Sequence, residues 1–165
     1  MCQPGDYVVY GVQGICRVLG KEKQLVNRKR VEYLVLEPLS KVESKFYLPT
    51  QNPTAMAKLQ PLLTLQALTE LMNSTEITRD FWIPEENLRK QKYRDLLSNG
   101  DRITLLQMLR SVYRYREELL ETGKKVHQCD ENFLRDAEKL LCSEIGLVME
   151  IDTVQAREYL HSHLR

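Results

Sequence analysis

The 165-residue sequence predicts an α+β protein, with a small β-barrel over residues 1–63 followed by a compact all-helical domain over residues 64–165. Three observations carry this. Short runs rich in β-branched and aromatic residues follow one another from Val8 to Leu48, and Gly11 and Gly14 break the first two. After Thr64 the apolar spacing becomes helical, at Leu65, Leu68, Leu71 and Met72. Strands come first and helices afterwards, without the interleaving of a parallel α/β sheet.

The expected strands are Val8-Val9-Tyr10, residues 15–19, residues 31–36 and Phe46-Tyr47-Leu48, the last stopping at Pro49. Val26-Asn27-Arg28-Lys29 reads as a polar turn and Gln51-Asn52-Pro53 as another; residues 58–63 add a last strand. Residues 64–80 form a connecting helix and a polar linker, the linker running from Asn73 to Asp80. Pro84 suits a first helical turn, so a helix is expected from Pro84 to Ser98, closed by Asn99-Gly100. Asp101 caps the next helix, which carries Leu105, Leu109, Val112, Leu119 and Leu120 and ends at Gly123. Asp130 caps a third, with Phe133, Ala137, Leu140, Leu141 and Ile145 on its inner face. Asp152 with Gln155 forms a capping box for a short final helix.

Composition bounds the function. No apolar run approaches the roughly 18 residues needed to cross a membrane. The N-terminus lacks a basic stretch followed by an apolar core, so no secretory leader is expected. Cys2, Cys16, Cys129 and Cys142 are dispersed, as in a cytoplasmic protein with reduced thiols. The net charge is only +1. Between Leu88 and Lys125, however, ten basic residues stand against five acidic ones. That excess is either a local nucleic-acid face or a pair of solvated helices, and charge alone favours the second.

Signals for catalysis are poor. Phosphate-loop, dinucleotide, zinc-protease and nucleophile-elbow motifs are absent. His161 and His163 lie beside the C-terminus without ligand spacing, and a frayed helix end explains them better than a metal. A binding protein is therefore expected, with no cofactor. The lone tryptophan, Trp82, follows the linker in Asp80-Phe81-Trp82-Ile83-Pro84. It is either an anchor packing the linker onto the helices or an exposed wedge against nucleic acid.

Gly5-Asp6-x-Val8-Val9-Tyr10, Gly14-Ile15-Cys16-x-Val18, Tyr33-Leu34-Val35-Leu36 and Leu48-Pro49-x-x-Asn52 together resemble the N-terminal domain of CarD/CdnL-type transcription regulators. The helical half is similar to the short, Firmicute-like branch of that family. There a tryptophan precedes Arg89-x-x-x-Tyr93, and Gly100-Asp101, Leu109-Arg110-x-x-Tyr113, Gly123-Lys124-Lys125, Asp130-Glu131 and Ala137-Glu138-x-Leu140-x-x-Glu144 follow.

The resemblance implies a Tudor-like barrel, similar to the polymerase-binding module of the transcription-repair coupling factor. Such a barrel docks on the RNA polymerase β subunit by pairing a strand edge with its lobe. The family's basic polymerase-facing positions hold Gln24 and Tyr47 here, so Lys21, Lys23, Gln24 and Tyr47 are the expected contacts. The helical domain would lie on promoter DNA upstream of the melted region. Arg89, Lys90, Lys92, Arg94, Lys124 and Lys125 would hold phosphates, and Trp82 would wedge at the minor groove. The resulting reading is a nucleoid-associated cytoplasmic regulator that stabilises the open complex, with no membrane or small-molecule partner. The competing reading is a protein–protein adaptor that never touches DNA. An exposed sheet edge leaves the oligomeric state open.

Overall fold

A tight hairpin organises the first half of the chain. Asn27 and Arg28 both have positive φ, 50° and 64°, as a two-residue type I′ turn requires. They join β2 (Gly14–Val26) to β3 (Lys29–Pro38). The pairing runs from Val26 opposite Lys29 to Cys16 opposite Pro38, with a bulge between Val18 and Gly20. The bulge leaves Leu19 as an extra residue and bends a strand that would otherwise run straight. The computed structural model describes residues 2–99 and 101–165.

β1 (Tyr7–Tyr10) pairs with β2 on one side and with β5 (Leu59–Pro61) on the other, and β4 (Phe46–Pro49) pairs with β3. Among the described residues this gives a five-stranded antiparallel sheet in the order β4-β3-β2-β1-β5. β4 and β5 are the outer strands of this sheet, and among the described residues no ladder joins them into the expected barrel. Alternation along the strands puts Val8, Cys16, Val18, Leu34, Leu36 and Leu48 into one buried cluster. β2 is far longer than the 15–19 expected, because its hairpin end (Lys21, Glu22, Lys23) is exposed and lacks an apolar signal. The turn expected at 51–53 begins at Thr50, with Asn52 N donating to Pro49 O at 3.2 Å, and leads into a short helix, α1 (Pro53–Met56), whose N-cap Asn52 accepts from Ala55 N at 3.2 Å.

The backbone divides into a first unit up to Leu62 and a second built mainly on the residues from Leu63 onward. The second contains α2 (Leu65–Met72), α3 (Glu86–Asn99), α4 (Arg102–Glu121), α5 (Gln128–Met149) and α6 (Thr153–Leu164). Its core joins Leu68, Met72, Leu96, Leu106, Met108, Leu109, Phe133, Ala137, Ile145 and Leu160. Gly100, expected to close α3 with Asn99, lies outside the described residues. Gly123, at φ 72°, ends α4, with Lys124 N donating back to Leu119 O at 2.9 Å. The capping box of Asp152 and Gln155 is present at α6.

The polar linker expected over 73–80 is largely exposed but held down: a 3-10 turn over Thr75–Thr78 buries Ile77 in the core. α4 straps that segment down, as Gln107 donates to Glu76 O at 2.8 Å and Arg110 to Thr78 O at 2.9 Å. α3 starts at Glu86, and the Glu85 carboxylate, not Pro84, serves its first turn by accepting from Asn87 N and Leu88 N. Asp130 does not cap α5. His127 holds that position, and Asp130 sits fully buried in the first turn.

Candidate functional site

Strand register sorts the residues expected to meet a polymerase. Partners across an antiparallel pair point to the same face, and successive residues alternate. Gln24 pairs with Val31, Tyr33 with Pro49, and Val35 with Tyr47. Gln24, Tyr33 and Tyr47 therefore share one face, on which the Tyr33 and Tyr47 rings meet edge to face at 6.2 Å. Tyr47 is 40% exposed on the outer strand β4. Lys21 and Lys23 project from the opposite face, where Lys21 Nζ lies 3.8 Å from Glu32 Oε1. Gln24 and Tyr47 thus share a face without meeting, on the two strands that flank β3, and the two lysines lie on the other face.

In the helical unit, Arg89 points inward. Its Nε and Nη2 donate to Asp130 Oδ1 and Oδ2 at 2.8 and 3.2 Å, and its Nη1 donates to the Ile83 and Pro84 carbonyls. Burial works against its charge, but Asp130 outweighs burial and pushes its pKa up. Tyr93 OH donates to the same carboxylate at 2.6 Å, and burial with that bond raises the phenol well above its usual range. Only 4% of Arg89 is exposed, so the expectation that it holds a phosphate is corrected. Its fork is already filled by one carboxylate and two carbonyls.

Trp82 packs beside this clamp. Its ring stacks on Tyr115 with centroids 4.0 Å apart, and the Arg89 guanidinium carbon lies 4.6 Å from the ring centre. Phe81 N donates to Ser111 Oγ at 2.8 Å, tying the segment to α4. Trp82 is thus half-buried: it packs as an anchor while keeping part of its surface exposed.

The remaining expected cations are dispersed. Lys90 and Arg94, one turn apart on α3, line a shallow groove of about 220 Å³ against α5. Lys90 is ion-paired to Glu86 at 2.6 Å. Lys92 lies over the Phe81 ring instead, 5.5 Å from its centre. Lys124 and Lys125 are exposed in the loop before α5.

A stronger cationic feature escaped the sequence reading. Arg110, Arg114 and Arg116 of α4 and Arg157 and Arg165 at α6 line one cleft of about 690 Å³. Glu138 sits within it, bonded to Tyr113 OH and lying 3.0 Å from His161 Nε2 and 3.4 Å from Arg157 Nε. Arg114 and Arg165 have no ion pair among the described residues. The i, i+4 spacing of Arg110 and Arg114 was a usable signal; the approach of Arg157 and Arg165 depends on how α6 folds back.

Residues 2–61 match the CarD-like/TRCF RID domain. This family binds RNA polymerase, and it is a protein-interaction domain rather than a catalytic one. The match spans the whole sheet, from before β1 to the end of β5, and so includes Gln24, Tyr33 and Tyr47. The clamp, Trp82 and the arginine cleft fall outside the matched residues. No curated protein matches the chain. No helix among the described residues is long and apolar enough to cross a membrane.

Proposed function

We propose that the protein is a transcription regulator that docks on the RNA polymerase β subunit through its RID domain. Its helical unit then lies on promoter DNA and slows reclosure of the open complex. The carrying observation is the RID match over residues 2–61, with Tyr47 exposed on an outer strand. An outer strand offers main-chain pairing for affinity, and its alternate side chains give specificity. Lys90, Arg94, Lys124 and Lys125 supply phosphate contacts, which position a protein without reading sequence. The net charge of +1 is no obstacle, because tethering to polymerase raises the local concentration of weak DNA contacts. Trp82 offers its exposed surface to the minor groove from a base fixed by Tyr115 and Arg89.

The adaptor reading, in which the helical unit binds protein only, is favoured by one observation: Arg89 is spent inside the fold. Open-complex lifetime on several promoters separates the two. Addition of the protein lengthens it in the first reading and leaves it unchanged in the second.

A further inference from the structure

Three ligand-bearing side chains converge where α3 and α5 begin. Glu86 opens α3, His127 is the N-cap of α5, and Cys129 lies in its first turn. A carboxylate oxygen, an imidazole nitrogen and the thiol sulfur all lie within 4.8 Å of one another. His127 Nε2 is 3.2 Å from Glu86 Oε2.

The two segments are far apart in sequence, and their meeting is fixed without any metal. Arg89, one turn after Glu86, is forked onto Asp130, the residue after Cys129. That buried pair sets the spacing of the two helix starts, so the donors are positioned beforehand. A thiolate, an imidazole and a carboxylate suit a borderline-soft dication, whereas calcium and magnesium take oxygen ligands. Three protein ligands leave a fourth tetrahedral position for water.

We propose that Glu86, His127 and Cys129 form a zinc-binding site that ties the start of α3 to the start of α5. The thiolate and carboxylate together neutralise the dication, so the occupied site carries no net charge beside two helix N-termini. Coordination sends the Cys129 thiol proton to solvent and takes His127 as the neutral ring. Lys90 gives up its half-exposed pair with Glu86, and such surface pairs are weak.

Zinc chloride is titrated into the full-length reduced protein, and cobalt(II) is used as a spectroscopic probe. The expected result is one metal per chain, with a thiolate-to-cobalt charge-transfer band in the near ultraviolet. Cys129→Ser removes that band, and Cys129→Ser and His127→Ala each weaken zinc binding by more than about tenfold. Glu86→Gln, at a half-exposed helix start, weakens it while leaving the circular dichroism unchanged. Absence of zinc binding to the wild-type protein overturns the proposal. So does affinity that survives both Cys129→Ser and His127→Ala, or a cobalt spectrum without a thiolate band.

Discussion

Arg89 of α3 grips Asp130 of α5 through two parallel hydrogen bonds, at 2.8 and 3.2 Å, in a site where Asp130 is fully buried. The same guanidinium holds the carbonyls of residues 83 and 84 and lies against the Trp82 ring. One side chain therefore joins two helices and sets the segment that carries the only tryptophan.

Removing either partner strands a buried charge. Arg89→Ala and Asp130→Ala should each destabilise the protein by about 3–5 kcal/mol. Arg89→Lys recovers only part of this, because an ammonium cannot reproduce the fork. Urea unfolding midpoints at constant m-value measure the effect. A loss under about 1 kcal/mol would mean that Arg89 faces solvent.

The thiols divide by burial. Burial pushes Cys16 up to about 11, and burial with the Glu138 charge pushes Cys142 to about 11. Native protein should thus be alkylated first at the half-exposed Cys2 and Cys129, with Cys16 and Cys142 labelled only on unfolding. The sign for stability follows. The folded thiols keep their protons to higher pH than the unfolded ones, so stability falls as pH rises from about 9 to about 11. Mass spectrometry after brief alkylation checks the first statement, and thermal melts across that window check the second.

The hairpin turn is strained at Arg28. A non-glycine residue at φ 64° carries a left-handed penalty that glycine avoids. Arg28→Gly next to Asn27 creates the preferred type I′ pair and should stabilise the fold by about 0.5–1 kcal/mol. Thermal unfolding of the variant reads this directly.

On the DNA-contacting reading, Lys90 and Arg94 share one helix face and meet phosphates together. The double variant Lys90→Ala, Arg94→Ala should lower the slope of log K against log salt by about 2. Promoter-DNA anisotropy at several salt concentrations measures it. The same loss on Arg114→Ala with Arg165→Ala would move the DNA to the arginine cleft of α4 and α6.

Much of this organisation is legible in the sequence because it is local. Asn27-Arg28 between two apolar runs marks a turn, and Asp152 with Gln155 marks a helix start. The change of apolar period after Thr64 marks where strands give way to helices. What escapes is long-range. α3 buries only a few apolar side chains, so Arg89 reads as surface until Asp130 arrives from α5. Residues 73–80 read as linker because Ile77 is their only apolar residue, yet that residue and the donors of α4 hold the segment down. That Gln24 and Tyr47 share one face depends on a bulge at Val18/Gly20, which shifts the register of everything beyond it.

The central claim is that the RID face carrying Gln24 and Tyr47 binds RNA polymerase. The most direct measurement is equilibrium binding of the full-length protein, wild type and Tyr47→Ala, to purified RNA polymerase and to its isolated β subunit. The account predicts saturable binding to both, weakened at least about tenfold by Tyr47→Ala, while Lys23→Ala on the opposite face changes it little. Binding that is absent from β, or indifferent to Tyr47→Ala, would contradict it.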